Sequence, residues 1–377
     1  MHASADLTIS ELVLAFWKHA QGYYRRADGS QTKEVGLYKL ALKPLRQLYG
    51  GTRAVDFGPR CLKAVVHHMI ELKWCRTSIN KHAAHIKHMF KWAVENELVP
   101  PSVHHGLIAV SGLRRGRSAA IESDPVRPVA EGDVEAVLPH LSKQVAAMVK
   151  LQMLTGMRPG EVCDMRGCDI DVTGKLWTYK PPAHKNEYRG HDRTVYLGPQ
   201  AQAVVAPFLK PNLQDHLFSP RDAEATRRAE LHEQRETPIK YGNRPGSNRK
   251  RRPAVELGAK YTVTSYRRAI LRGCEAAFEM PKELLELRSQ KAKAAEAALP
   301  AANLARIRKE RAAARSAWRA AHSWHPHQLR HTSATRLRKD YGLEASQVIL
   351  GHKTLAVTEL YAEKNVAAAQ RIMAEVG

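Results

Sequence analysis

The chain has 377 residues, with 60 Lys+Arg against 37 Asp+Glu, a formal net charge of +23, 44% hydrophobic and 26% charged residues. This is globular composition, long enough for two or three domains. It excludes a disordered chain, a collagen-like fibre and a helical membrane protein, since no apolar run approaches the roughly 18 residues that span a bilayer. The acidic start Met1–Asp6 has no h-region, which argues against a secretory signal, and five cysteines form no disulfide framework, which fits a reducing compartment. So large a positive excess calls for a polyanion. Nucleic acid is the leading partner, because neutralising phosphates releases condensed counterions; the bland alternative is a merely basic soluble protein.

Residues 8–112 read as a helical domain. Thr8 and Glu11 have capping-box spacing, and Leu12, Val13, Phe16 and Trp17 follow on one helical face. A second helix runs through Leu37, Leu40, Ala41, Leu45 and Leu48 and stops at Gly50-Gly51. A third holds Cys61, Leu62, Val65, Val66, Met69 and Ile70. The fourth opens near Thr77-Ser78, carries Ile79, Ala83, Ile86, Phe90 and Ala93, and ends before Pro100-Pro101. Lys81, His82, His85, Lys87, His88 and Lys91 lie between its apolar positions and read as an exposed basic face. Such a face either follows a phosphate backbone or is simply solvated.

Residues 113–127 are basic, rich in small residues and without periodicity, as in a linker. A second domain, 128–377, follows. Its apolar helix Val145–Leu154 ends at Thr155-Gly156, and Pro159 is placed to begin the next helix. Leu176–Tyr179 and Thr194–Leu197 read as short strands around a polar turn, His184–Asp192. A long basic and Ala-rich insertion spans about 220–320. In it, 220–255 reads as a loop around Arg249-Lys250-Arg251-Arg252, Tyr261–Phe278 as a helix, and 282–320 as two helical arms interrupted by Pro300. The arms are either a solubilising insertion or a DNA or partner contact. Cys163 and Cys168 read as buried thiols without a role. The fold class is mainly α with a small antiparallel β-sheet.

The candidate chemistry begins at Thr155-Gly156-Met157-Arg158-Pro159-Gly160-Glu161. Gly156 can adopt the left-handed conformation that ends a helix, and Pro159 pre-sets the next one. Glu161 can pair with the Arg158 guanidinium, so the arginine is held stiffly where an anion is favoured; a structural Arg–Glu pair is the plain alternative. In His325-Pro326-His327-Gln328-Leu329-Arg330-His331, Pro326 marks a helix start, and His327 and Arg330 share a face of its first turn. A neutral imidazole beside a forked, permanently charged guanidinium suits proton transfer next to a phosphate. Four histidines in 322–331 raise zinc, but no carboxylate or Cys pair flanks them at ligand spacing. Val348-Ile349-Leu350-Gly351-His352 ends an apolar helix and delivers His352 into a loop, and Tyr361 follows nine residues later.

In that order, Thr-Gly-x-Arg-x-x-Glu, a lysine in a strand–turn–strand, His-x-x-Arg, Leu-Gly-His and the following tyrosine resemble the tyrosine recombinase (phage-type integrase) family. The resemblance covers nearly the whole chain and departs from compact members in the length of the interval before His327. It implies a core-binding (DNA-grasping) domain at 8–112 and a catalytic domain at 128–377. Arg158 and Arg330 match the two phosphate-binding arginines, and His327 the histidine of the His-x-x-Arg pair. His352 matches the second histidine, which orients the phosphate, and Tyr361 the nucleophile. Lys185, in the turn, matches the lysine that protonates the leaving 5′-oxygen; Lys180, before Pro181-Pro182, is a competitor. Glu161 looks like a supporting residue.

What the resemblance implies is a site-specific recombinase that breaks and rejoins double-stranded DNA through a 3′-phosphotyrosyl bond, with no metal, ATP or other cofactor. It also implies a homotetramer on two DNA sites, accessory DNA-bending proteins as further partners, no membrane partner, and a cytoplasmic, prokaryotic or phage- or plasmid-encoded setting. The tail after Tyr361 has Val366, Ala369, Ile372, Met373 and Val376 near one face and packs either on its own domain or, as favoured here, on a neighbouring protomer. Rival readings are a type IB topoisomerase-like enzyme and a catalytically idle DNA-binding relative. A basic RNA-binding protein would need stacking aromatics on a sheet, and only 6% of residues are aromatic.

Overall fold

In the computed structural model the described residues are 6–26, 29–182, 193–236, 238, 256–285, 294, 296, 300–351 and 358. The chain divides into two compact units, Met1–Pro125 and Val126–Gly377.

The first unit is built from α1 (Ile9–Tyr23), α2 (Lys33–Tyr49), α3 (Pro59–Glu71), α4 (Arg76–Glu95) and α5 (Pro101–Ile108). The Thr8–Glu11 capping box opens α1: the Thr8 side chain accepts from the Glu11 amide while the Glu11 carboxylate accepts from the Thr8 amide. Ile9, Leu12, Phe16 and Ala20 then recur on its buried face. The α2 face is rotated from the leucine run. Val35, Tyr38, Ala41, Leu42 and Leu45 are buried, whereas Leu40 and Leu48 are exposed. Leu62, Val65 and Met69 of α3 meet Ile79, Ile86, Met89, Phe90 and Ala93 of α4 in one core, with Phe57 stacked on Phe90 at 5.1 Å.

The basic face expected on α4 is not one face. His82 and His85 are buried. His85 bonds the Lys81 carbonyl through Nδ1 (2.7 Å) and the Glu34 carboxylate through Nε2 (2.6 Å). Lys87 donates to the Val110 carbonyl at 2.5 Å, and the His88 ring bonds the Tyr38 hydroxyl at 2.9 Å. Lys81, His88 and Lys91 are exposed as read, although the His88 ring is tied to Tyr38. The cause is crowding: α4 packs against α1, α2, α3 and α5, so residues flanking its apolar stripe are also enclosed and must find partners. Residues 113–122, read as linker, are tied to the same helix. Asn80 pairs with the Leu113 backbone in both directions, and Arg76 pairs with Glu122 at 2.7 Å.

The second unit starts with α6 (Glu131–Val137), α7 (Lys143–Thr155) and α8 (Pro159–Cys163). Strands β1 (Ile170–Asp171), β2 (Trp177–Tyr179) and β3 (Val195–Leu197) form an antiparallel sheet in that order, with Tyr179 opposite both Ile170 and Val195. Then come α9 (Pro199–Val205), α10 (Pro220–Glu233), α11 (Val263–Ala277), α12 (Ala301–His322) and α13 (Pro326–Leu350). Helix α7 is apolar nearly all round, so it is buried on most sides and packs against α9 and α13. Helix α13 is broken at Gly342 (φ 86°), a conformation that only glycine adopts readily.

The loop expected from residue 220 is in fact helical at its start. Pro220 occupies the first turn of α10, and the Ser219 side chain caps it by accepting from the Arg221 and Asp222 amides. Of the two arms expected in 282–320, α12 is one, opening after Pro300; most of the other lies outside the described residues. Cys163 is buried, and burial pushes its thiol up to about 12. Cys168 is exposed, contrary to the sequence reading, because it sits on the 3₁₀ turn that precedes β1.

The α2 geometry is testable by a pair of substitutions. Leu42→Ala, on the buried face, should lower the unfolding free energy by about 2–5 kcal/mol. Leu40→Ala should stay within about 0.5 kcal/mol in the same urea titration.

Candidate active site

Two left-handed glycines set the geometry. Gly156 (φ 64°) ends α7, and Gly351 (φ 63°) ends α13. Both are also crowded. A Cβ on Gly156 would sit 2.5 Å from the Leu350 side chain, and one on Gly351 would sit 2.5 Å from Nη1 of Arg193. The Thr155 hydroxyl donates to the Leu151 carbonyl and accepts from the Met157 amide, which tightens the turn that leads into Arg158.

Arg158 is the N-cap residue of α8, and Pro159 starts the helix as the sequence implies. Glu161 closes the arrangement from the third helical position. One carboxylate oxygen accepts from the Arg158 amide at 2.8 Å, and the other accepts from its Nη1 at 2.7 Å. Glu161 is 4% exposed and the Arg158 side chain 27%, so the carboxylate is the buried footing and the guanidinium the part that reaches solvent. Burial alone would raise the Glu161 carboxyl, but the charges of Arg193 and Arg158 and the hydrogen bonds from Arg158 hold it below the ordinary carboxylate range. Tyr179 of β2 donates its hydroxyl to the Glu161 carbonyl at 2.8 Å, which ties the sheet to α8.

Pro326 begins α13, placing His327 and Arg330 on its first turn. Arg330 is fully buried. Its Nη1 donates to the Gly156 carbonyl at 2.6 Å and its Nη2 to the Leu350 carbonyl at 2.8 Å. One guanidinium thereby joins the C-terminal ends of α7 and α13. His327 is half-buried; burial first, then the Arg330 and Arg158 charges, hold its imidazole below the ordinary histidine range. The His327 and His331 rings meet edge to face at 5.6 Å.

Of the residues read from the sequence, Arg158, Glu161, His327 and Arg330 are brought together. Lys185, His352 and Tyr361 lie outside the described residues, as do the turn 184–192 and the tail after Tyr361. Lys180 follows β2 directly, and its amide donates to the Asp169 carbonyl. Sequence reasoning missed Arg193. It precedes β3, has a 5% exposed side chain, and places Nε 3.7 Å from Glu161 and Nη1 3.0 Å from the Ile349 carbonyl. No motif flags it; the only signal was a cation immediately before an apolar strand.

Among the described residues, no group of three or more His, Cys, Asp or Glu is placed to hold a metal ion. Nor is any described helix long and apolar enough to cross a membrane.

Residues 260–368 match the phage integrase family, a span that includes His327, Arg330, His352 and Tyr361 and begins after Arg158 and Lys185. The fold is shared with solved integrases. The Tn1549 transposon integrase in complex with circular intermediate DNA is 14% identical over 98% of this chain and 99% of that one, with a TM-score of 0.57. A lambda integrase dimer bound to a core site is 13% identical over 95% and 77%, with a TM-score of 0.56. A lambda integrase tetramer bound to a Holliday junction gives 13% over 96% and 79%, also at 0.56. No curated protein matches the chain in sequence. Sequence over residues 260–368 and fold over nearly the whole chain thus point the same way, to similarity with the phage-type integrases.

Two outcomes check this geometry. Gly156→Ala should lower the unfolding free energy by at least about 1–2 kcal/mol, because it adds a left-handed alanine and a clash with Leu350. Gly160→Ala, whose Cβ would meet nothing within 4 Å, should be neutral or slightly stabilising in the same assay. Because the folded state holds His327 below its unfolded value, the unfolded chain binds the proton first as pH falls. His327 therefore removes stability below about pH 6.5, and His327→Gln should flatten the pH dependence of the thermal midpoint in that range.

Proposed function

We propose that the chain is a site-specific DNA recombinase that cleaves and rejoins strands through a 3′-phosphotyrosyl intermediate on Tyr361. The observation that carries the reading is the convergence of Arg158 from one motif with His327 and Arg330 of the His-x-x-Arg motif, the charges of both arginines bearing on the His327 ring. Arg158 and Arg330 bind the non-bridging oxygens of the scissile phosphate and stabilise the charge of the pentacoordinate transition state. Nη1 and Nη2 of Arg330 each donate to a protein carbonyl, which fixes the plane of its guanidinium.

A phenol near pKa 10 is a weak nucleophile at neutral pH and needs cationic surroundings and a proton acceptor. His327, kept neutral by its site, is suited to accept the phenolic proton. The Tyr361 oxygen then bonds to phosphorus as the P–O5′ bond breaks, and Lys185 gives its proton to the departing 5′-oxygen, while His352 orients the phosphate. The phosphotyrosyl bond retains the phosphodiester energy, so a new 5′-hydroxyl can attack it in the reverse sense without ATP. The charge of +23 supports duplex DNA as the partner. Strand exchange between two duplexes calls for four protomers, in the cytoplasm of a cell carrying a mobile element, with the C-terminal tail as the connection between neighbours.

A suicide-substrate trap tests the reading. Purified protein is mixed with nicked duplexes from the ends of its own element in EDTA, and products are separated on a denaturing gel. Wild type should give a covalent protein–DNA band and Tyr361→Phe none. Arg158→Ala should cut the rate of band formation by about 10²-fold or more. DNA binding without a band in wild type would overturn the phosphotyrosyl reading in favour of an idle DNA-binding relative.

A further inference from the structure

Arg193 has no part in the chemistry above, yet its side chain is only 5% exposed and lies beside Glu161. Its guanidinium is almost fully buried. Nη1 donates to the Ile349 carbonyl (3.0 Å) and the Thr194 carbonyl (3.3 Å), and Nε lies 3.7 Å from Oε1 of Glu161. That same Oε1 accepts from Arg158 at 2.7 Å, so one carboxylate oxygen stands between two guanidiniums. The turn at Gly351 is shaped around Arg193 as well, since a Cβ there would meet Nη1 at 2.5 Å.

Stability alone does not account for this placement. Burying a guanidinium and a carboxylate costs desolvation that their attraction scarcely offsets, and apolar replacements of buried pairs are often neutral or better. The charge balance explains more. Arg158, Glu161 and Arg193 sum to one positive charge. Without Arg193, Arg158 and Glu161 form a neutral pair, and the guanidinium that reaches solvent is quenched by its own footing.

We infer that Arg193 is a positioning residue for strand cleavage: it takes up the Glu161 charge so that Arg158 keeps its own for the scissile phosphate, and it fixes the end of α13 to β3. This rests on the phosphotyrosyl reading above. Arg193 acts through Glu161 and the Ile349 carbonyl and does not itself touch DNA.

The test is a double-mutant cycle in the same trap, with adduct formation followed under single turnover and DNA affinity measured by mobility shift. Arg193→Met should slow adduct formation at least about tenfold, with the Kd for the duplex within about threefold of wild type. Adding Glu161→Gln removes the uncompensated charge, so the double variant should be at least about fivefold faster than Arg193→Met alone. Arg193→Met at the wild-type rate, or a double variant slower than both singles, would overturn the inference. If Arg193→Met loses its cooperative melt, the double variant decides: recovery of folding and of adduct formation supports the charge role, and an unfolded double variant overturns it. Absence of an adduct in wild type is a separate result that removes the cleavage reading and this inference with it.

Discussion

The second unit depends on where it puts its buried cations. Arg330 and Arg193 both donate to carbonyls at helix C-termini: Arg330 to Gly156 and Leu350, Arg193 to Ile349. The last carbonyls of a helix have no intrahelical donor, and the helix dipole makes that end negative. Two helices therefore end with their carbonyls turned toward two guanidiniums, and each side resolves the other's unmet demand. This fixes where α7 and α13 stop, and hence where Arg158 and the segment after Gly351 begin. The left-handed glycines follow from it, because only a residue without a side chain can both reverse the backbone there and clear Leu350 or Arg193.

Above this buried layer lies a more exposed one. Glu161, Arg193 and Arg330 are enclosed, while Arg158 and His327 reach outward. The buried groups are anchored on the Gly156, Ile349 and Leu350 carbonyls and on Arg158, so the Arg158 guanidinium presents a positive field in a geometry that needs little reorganisation when charge develops on a phosphate. Burial first, and then the neighbouring arginine charges, hold the His327 imidazole below the ordinary histidine range. An enclosed, cationic site thus favours a neutral proton acceptor. Glu161 is what makes the concentration tolerable, since a buried carboxylate between two guanidiniums lowers their mutual repulsion.

Helix α12 shows the opposite use of arginine. Arg308 and Arg311 pair with Glu296, Arg315 donates to the Leu284 carbonyl, and Arg319 pairs with Glu275 of α11. Among the described residues these cations serve the packing of the insertion on itself and on α11. A high Arg content in a segment is therefore no direct measure of the charge it offers to DNA. The first unit teaches the same lesson, where half of the basic positions read on α4 are spent on Glu34, Tyr38 and a backbone carbonyl.

Local chemistry was legible in the sequence wherever one residue type has one conformational use. Gly156 and Gly351 as helix stops, Pro159 and Pro326 as helix starts, the Thr8–Glu11 box and the two principal strands all follow from backbone sterics and capping, which act over four or five residues. The order of the motifs pointed to the phage integrase family, whose match spans residues 260–368, and Arg158, Glu161, His327 and Arg330 do meet. The sequence could not show Arg193, whose partners Glu161 and Ile349 lie 32 and 156 positions away. Nor could it show which arginines are buried, which way α2 turns its leucines, or that Cys168 is exposed. Those outcomes depend on which surfaces the elements bury against one another, a property of the packed whole that no run of neighbouring residues contains.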